Sequence, residues 1–414
     1  MTTAILSLGT ELTRGELVNA NGAWLADRLT ELGHDVVEIT TVDDDDERIE
    51  QALGRLALVH DTIVCTGGLG PTTDDRTSAC VARALGVPLV SDARARAGLE
   101  AALAKRGRPL GPDNEKQALV PDGSTILDNA LGTAPGFAVT LEGALAFFLP
   151  GVPGEMRAMF EQAVRPLLRA PTESWLALYV RTAGMPESAI GERLAGIEAS
   201  HGVTLGYRAS AGGVTIKVLA RTSTRTEGEA RARAEAAWTE VGRRLGQAVF
   251  SRSNAPLEQV LGELLAQRGL SLALAESCTG GGTSALLTRV PGSSRYFRGA
   301  IVAYDNRVKQ SALGVPEALL AQHGAVSSEV AEAMAIGACR VLGADVGLAI
   351  TGIAGPDGGS ADKPVGLVHF AVAWQHEVAT FQARFSGSRT EIQRRAESAA
   401  LFFAWTILER ETQS

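Results

Sequence analysis

Along the first part of the chain, short apolar runs alternate with longer stretches of helical spacing. AILSLG, from Ala4, reads as a buried strand ending at Gly9. ANGAWLADRLTELG, from Ala20, sets Trp24, Leu25, Leu29 and Leu32 at helical intervals and stops at Gly33. DVVEITTV is a second strand, ERIEQALGRLALV a second helix and DTIVCTGG a third strand. Strands alternating with helices of this length predict a parallel sheet covered by helices on both faces, and the pattern continues to about Pro171. Ligands of such sheets sit at the carboxyl ends of the strands, where LGTE and TGGLGPTTDD fall.

The character then changes. VTIKVLARTSTRTEGEARARAEAAW is an alternating strand, a polar turn and an Arg/Ala/Glu-rich helix whose basic residues, interleaved with Glu, make a solvated face. This stretch reads as a small α+β connector. SRSNAPLEQ marks a boundary, with Pro256 near the start of a new helix. A second α/β domain follows, with strands at LALAES, AIVAYD, VGLAIT, VGLVHFAVAW and VATFQARF, and helices at SSEVAEAMAIGACRVLG and RTEIQRRAESAALFFAWTILER. The expected domains are 1–171, 172–252 and 253–414, and no repeat links the two large ones.

A length of 414 residues fits such a division, being too long for one ordinary core. With 45% hydrophobic and 21% charged residues the composition is globular. The formal net charge of −8 argues against direct nucleic-acid binding, which needs clustered Lys and Arg. Cys65, Cys80, Cys278 and Cys339 stand far apart with no Cys-x-x-Cys, a pattern of buried thiols in a reducing compartment. The first residues show no basic segment followed by a long apolar one, and no apolar run reaches the roughly 18 residues of a membrane span. A cytoplasmic chain with no membrane partner is expected.

TGGLGPTTDD brings glycines at 67, 68 and 70 to a strand end, where backbone N–H groups can approach an anion. Asp74 and Asp75 then fall in the first turn of the next helix. Adjacent carboxylates beside a phosphate imply a divalent cation between them. On spacing alone the commoner reading is that Thr73 or Asp74 caps the helix and Asp75 complements its dipole. DDDDER, at Asp43, reads likewise as a solvated helix start.

In the last domain AESCTGGGTSA places Ser277, Cys278 and Thr279 before three glycines. A nucleophile of this kind needs a base. Of the six histidines only His323, His369 and His376 lie here, none in a catalytic motif. PGSSRYFRGAIVAYDNRVKQ offers instead Ser293 and Ser294 after a Pro-Gly turn, Tyr304 near a strand end and Lys309, a base if burial lowers its pKa. The plain alternative is turn chemistry and surface decoration. The glycine-rich loop at 280–282 would then hold a phosphate or an oxyanion with its N–H groups.

These motifs carry a resemblance. GTELTRGELVNANGAWLADRL, GGLGPTTDD, NEKQALVP, NALGTAPGF and LPGVPGEM resemble, in order, the motifs of the N-terminal domain of the CinA (competence/damage-inducible) family, which is similar to the molybdopterin-binding fold. The resemblance implies a three-layer domain with a metal-dependent ADP-ribose pyrophosphatase activity, giving AMP and ribose 5-phosphate. By motif match it implies Glu11, Asn21, Gly67, Gly68, Thr72, Lys116 and Glu155 as pocket residues, and Asp74 and Asp75 as ligands of a divalent metal.

AESCTGG, PGSSRYFRGAIVAYDNRVK, HGAVS, AITGIAGPDGGSADKPVGLV and FSGSR resemble the C-terminal domain of that family, a three-layer α/β nicotinamide-nucleotide amidase. This implies hydrolysis of the amide of nicotinamide mononucleotide to nicotinate mononucleotide and ammonia, without a cofactor. The family's serine nucleophile with a Tyr/Lys pair falls on Ser294, Tyr304 and Lys309, with Ser293 the alternative, so that Ser277, Cys278 and Thr279 attack nothing. Thr279, Gly280, Gly281, Asn306, Thr351, Gly352, Gly355 and Arg389 are the implied substrate contacts, Arg389 on the nucleotide phosphate. Two departures stand out: Gly299-Ala300 where the family has a double glycine, and Asp305 after Tyr304, a carboxylate that would raise the lysine pKa. The resemblance also implies a homodimer. The competing readings are a nucleotide- or pterin-binding module and an interaction protein of DNA uptake or repair.

Overall fold

The computed structural model describes residues 2–169, 173–223 and 226–410. They form two compact units, Met1–Leu176 with Arg221–Ala230, and Ala177–Ala220 with Arg231–Ser414.

The first unit holds β1 (Thr2–Leu8), β2 (Asp35–Val42), β3 (Thr62–Thr66), β4 (Leu89–Ser91), β5 (Leu119–Pro121), β6 (Thr125–Leu127), β7 (Gly136–Leu141) and β8 (Ala144–Leu149). Six of them make one sheet in the order β2-β1-β3-β8-β7-β6, while β4 and β5 pair separately. β2, β1, β3 and β8 run parallel. The expected parallel sheet is corrected at its far edge, where β7 and β6 are antiparallel. The cause is local. Glu142 and Gly143 both take positive φ, 49° and 90°, as a two-residue hairpin turn requires, and so short a link cannot cross over to make a parallel pair.

Ile5, Leu6, Ile63, Val64, Phe147 and Phe148 are wholly buried, as central strands covered on both faces must be. Leu53, Leu56 and Cys80 cover one face. Leu25, Leu29, Met156 and Phe160 cover the other. Asn19 caps the helix Ala20–Glu31 by accepting from the N–H of Gly22, and Asp45 caps Asp46–Val59 by accepting from that of Arg48. The acidic run at Asp43 is therefore a helix start.

A four-stranded sheet follows: β9 (Glu173–Thr182), β10 (Thr204–Ser210), β11 (Gly213–Ser223) and β12 (Val249–Ser251), in the order β10-β11-β9-β12. The helix Glu227–Leu245 buries Ala230, Ala234, Ala237 and Val241, a narrow small-residue stripe that leaves its Arg and Glu outside.

The last sheet holds β13 (Leu272–Glu276), β14 (Phe297–Val302), β15 (Val346–Gly352), β16 (Leu367–Trp374) and β17 (Glu377–Arg384), in the order β14-β13-β15-β16-β17. Only β14, β13 and β15 are parallel. β16 and β17 are antiparallel, joined by Gln375 and His376, both at positive φ. Alternation along β13 sends Leu272 and Leu274 to the face covered by the helices Leu257–Arg268 and Arg389–Arg410. Ala273 and Ala275 face the helix Ser328–Leu342, which lies so close that a Cβ on Gly347 would stand 2.2 Å from the carbonyl of Ala335. Among the described residues no helix is long and apolar enough to cross a membrane.

Candidate active site

Three parallel strands end together, and their carboxyl ends make the floor of a cavity. Ser277 follows β13, Tyr304 follows β14 and Thr351 lies at the end of β15. The pairing Glu276↔Val302 puts Ser277 alongside Ala303, and the N–H of Ala303 donates to the carbonyl of Glu276 at 2.7 Å. The helix Asn306–Ser311, capped by Asp305 through the N–H of Arg307, then carries Lys309 back under the strand ends. Ser277, Cys278, Tyr304, Asn306, Lys309, Thr351, Gly352 and Arg389 line a cavity of about 220 Å³, with Ala325, Val326 and Ala354.

Lys309 is the unusual group. Its side chain is buried to 1% exposure, and Nζ donates to Ser277 Oγ at 3.1 Å and to the carbonyls of Ala303 at 2.8 Å and Tyr304 at 3.4 Å. Burial pushes its pKa below the ordinary lysine value, against a smaller opposing pull from Asp305. Asp305 pulls this pKa upward as expected, but burial outweighs it and the net shift is downward. Asp305 is exposed and turned to its own helix N-terminus and to Arg307, while desolvation dominates at the amine. A buried lysine whose proton is held less firmly than usual and that touches a hydroxyl can act as a base beside a nucleophile.

That hydroxyl belongs to Ser277, not to Ser294. Ser294 is exposed on the turn Ser293–Arg295, which precedes β14, whereas Tyr304 and Lys309 follow it. Six residues of strand separate the two ends, roughly 20 Å at about 3.3 Å per residue. The nucleophile position expected at Ser294 is corrected on this ground, and Ser293 shares the same turn. Cys278 is disqualified by burial, which pushes its thiol up to about 12.

The glycine-rich loop is corrected too. Its donors already have an anion. Glu276, wholly buried, accepts from Thr279 Oγ1 at 2.7 Å, from the N–H groups of Gly281 and Thr283 at 3.1 Å each, from that of Ser284 at 2.8 Å and from the Ser284 hydroxyl. Thr279 and Gly281 are therefore occupied within the protein, and Gly280 donates its N–H to the carbonyl of Ser277. The signal was in the sequence: a lone Glu closing the otherwise apolar strand LALAE must be satisfied internally.

Arg389 reaches the cavity from the last helix, donating Nη1 to the Gly355 carbonyl and Nη2 to the Tyr304 hydroxyl, both at 2.6 Å. Tyr304 is thus a rim residue, 60% exposed, that meets Lys309 through its carbonyl and Arg389 through its hydroxyl. Thr351 Oγ1 donates to the carbonyl of Ala325 at 2.8 Å, holding the Ala325–Val326 wall. Gln393, one turn beyond Arg389, donates Nε2 to the carbonyl of Cys278 at 2.8 Å. No sequence pattern singled out Gln393 or the Ala325–Val326 wall.

In the first unit the expected pocket residues fall into two groups. At the ends of β1, β3 and β8, Asn21 Nδ2 donates to the Gly151 carbonyl at 2.7 Å, and its buried Oδ1 has no partner among the described residues. Gly67 lies against Leu8, where a Cβ would approach the carbonyl oxygen to 2.3 Å. Glu11 sits on the adjoining turn of helix Thr10–Thr13. In the second group Gly68, Asp75 and Lys116 line a narrow cavity, with Lys116 Nζ bonded to the carbonyl of Thr72. Glu155 belongs to neither: its carboxylate accepts from Asn129 Nδ2 at 2.8 Å and pins the Asn129–Gly132 loop.

Asp74 and Asp75 do not open a helix as expected. That helix, Thr77–Leu85, begins two residues after Asp75 with no side-chain cap. Asp75 instead caps its own turn, accepting from Thr72 N at 2.9 Å and Oγ1 at 2.5 Å. Asp74 is exposed, and hydrogen bonding to Thr72 and the backbone holds its carboxyl below the usual range. Among the described residues no three His, Cys, Asp or Glu gather as a metal cage. One exposed ionised carboxylate together with substrate phosphates is, however, a donor set suited to a magnesium-type ion. Asp74 alone could offer such a donor here, since Asp75 is spent on the Thr72 turn.

Comparison with known proteins places the chain. Residues 254–408 match the family model described as "CinA C-terminal domain", 178–251 the "Damage-inducible protein CinA KH domain" and 4–170 the "Probable molybdopterin binding domain". A CinA-like protein of Geobacter sulfurreducens is 44% identical over 396 residues, 95% of this chain and 96% of its own. Another, of Synechococcus sp., is 42% identical over 390 residues, 93% of each chain. A solved structure, competence/damage inducible protein CihA from Agrobacterium tumefaciens, shares 41% identity over 35% of this chain and 89% of its own, with a TM-score of 0.35. With near full-length relatives at this identity and three domain models matched in order, the chain belongs to the CinA family.

Proposed function

We propose that the C-terminal domain is a serine amidohydrolase acting on the amide of nicotinamide mononucleotide, with Ser277 as nucleophile and Lys309 as base. The carrying observation is the buried 3.1 Å contact between Lys309 Nζ and Ser277 Oγ at the floor of a cavity. Neutral Lys309 takes the Ser277 proton as Oγ attacks the amide carbon. It returns that proton to the nitrogen as the C–N bond breaks, releasing ammonia. Water, deprotonated by the same amine, then attacks the ester carbon, and Lys309 returns that proton to Ser277 Oγ as the ester C–O bond breaks and the carboxylate leaves. The N–H of the Cys278–Thr279 peptide, whose carbonyl Gln393 holds, serves the oxyanion. Arg389 at the rim suits the nucleotide phosphate, exchanging its contacts with Tyr304 or Gly355 for it. No divalent cation takes part in this amide chemistry.

For the N-terminal domain the reading is hydrolysis of a pyrophosphate such as ADP-ribose. Its support is the cluster of Gly68, Thr72, Asp75 and Lys116 beside the exposed Asp74. A cation held by Asp74 would neutralise phosphate charge there, while Lys116 and the glycine-loop backbone orient the phosphates. The chain as a whole then works in a cytoplasmic pyridine-nucleotide recycling route, as a homodimer.

The test is ammonia release from nicotinamide mononucleotide by wild type, Ser277→Ala and Ser294→Ala, each with and without EDTA. Wild type and Ser294→Ala should release ammonia regardless of EDTA, and Ser277→Ala should lose at least about a thousandfold. An active Ser277→Ala with an inactive Ser294→Ala would overturn the assignment. A silent wild type would remove the amidase reading and favour a binding module.

A further inference from the structure

Glycine-rich loops between a strand and a helix commonly hold a ligand anion on their backbone N–H groups. Here the protein supplies the anion. Glu276 immediately precedes Ser277 and is wholly buried, and its two oxygens collect three N–H groups and two hydroxyls from Thr279 to Ser284. Among the described residues no Lys or Arg pairs with it, so this donor cluster alone offsets the loss of water. The loop is also closed from outside. Glu397, two turns beyond Arg389 on the last helix, lies so near Gly282 that a Cβ there would stand 1.9 Å from its Oε1. Burial and the neighbouring Glu276 raise the pKa of Glu397.

We propose that Glu276 is a positioning residue: a built-in anion that gathers the Thr279–Ser284 loop around itself and thereby holds Ser277 Oγ within reach of Lys309. The proposal rests on the assignment of Ser277 as nucleophile. It has a corollary for substrate recognition. With the N–H groups of Gly281, Thr283 and Ser284 all occupied, the substrate phosphate is excluded from this loop and is left to the Arg389 rim. The side-chain hydrogen bonds of Glu276 go to Thr279, Gly281, Thr283 and Ser284, none of which lines the cavity, so its loss should slow turnover without weakening substrate binding. A glutamine keeps the shape but turns an NH₂ toward donors that need an acceptor.

The experiment uses full-length Glu276→Gln and Glu276→Ala beside wild type and Ser277→Ala. For Glu276→Gln, kcat should fall about 10- to 100-fold with KM within twofold, the size expected from losing charge-assisted hydrogen bonds that act only on alignment. For Glu276→Ala, added sodium formate should fill the vacated donors, restore part of kcat and raise the melting temperature, while leaving wild type and Ser277→Ala unchanged. Retention of kcat within twofold in Glu276→Gln overturns the proposal, as does a rise in KM equal to the fall in kcat. If Glu276→Ala fails to fold, the Gln variant decides alone. If wild type releases no ammonia, the amidase reading fails and the formate arm decides. A melting shift in Glu276→Ala alone then upholds the built-in anion, and its absence refutes it.

Discussion

Replacing Lys309 by methionine separates the two consequences of burying an amine. The side chain is 1% exposed, and the pulls toward the charged form, from Asp305 (spent on its own helix start) and Cys278, are smaller than the cost of burial. Because burial lowers the folded pKa, the folded protein gives up this proton before the unfolded chain does. Between the lowered folded value and the unfolded value near 10.5, the unfolded state therefore binds more protons and stability rises with pH. Below that window the cost of holding an ammonium in the interior is fully present, and above it the cost has gone. The slope within the window is at most about 1.4 kcal/mol per pH unit for one proton. Methionine has no such proton. It also leaves the Ala303 carbonyl without its 2.8 Å donor, a loss of about 1–3 kcal/mol that does not vary with pH. The stability difference between Lys309→Met and wild type should consequently change sloping with pH, the variant gaining relative to wild type as pH falls. Urea denaturation at stepped pH from neutral upward measures it, and the remaining titrations cancel in the difference. Ammonia release tells the other half: kcat/KM of wild type should rise with pH through the lowered Lys309 value, and the variant should lose about 10²- to 10⁴-fold. Parallel stability curves for the two proteins, or an active variant, would refute the buried-base reasoning.

Three further outcomes follow from the geometry. Gly68→Ala forces a side chain into φ 67° and puts its Cβ about 2.2 Å from Thr77 Oγ1, so the first unit should lose about 2–5 kcal/mol in calorimetry while ammonia release stays within twofold. Asp74→Asn should abolish metal-dependent release of AMP from ADP-ribose with the melting temperature unchanged, whereas Asp75→Asn should lower stability by about 1 kcal/mol through the Thr72 turn. Tyr304→Phe removes the Arg389 contact but not the carbonyl that touches Lys309, so KM for the nucleotide should move while the pH profile of kcat does not.

Most elements were legible because their signals are local. Asn19 and Asp45 sit where caps must, the alternation in β13 matches its two faces, and the strand and helix of 346–352 and 389–410 coincide with their apolar patterns. The hairpins at Glu142-Gly143 and Gln375-His376 escaped notice because neither carries the usual Asn-Gly signature. The site was half legible. Lys309 and Ser277 are 32 residues apart, and only the parallel register of β13 and β14 brings them together. Yet one inference was open from the sequence: a residue before a strand and a residue after it lie at opposite ends, which separates Ser294 from Lys309. The phosphate reading of the glycine loop failed for a different reason, since the competing anion, Glu276, stands just outside the motif.

The helix Arg389–Arg410 has a consequence for how this site would come into being. It carries Arg389, Gln393 and Glu397 on one face, against the rim, the Cys278 carbonyl and Gly282. Ser277 and Lys309 are made long before these residues leave the ribosome. A nascent chain that has emerged only to Gly387 therefore possesses its reactive pair but not the helix that closes over it. Synthesis itself keeps the site unassembled, and a product truncated before the helix would carry the motif without its closed cavity.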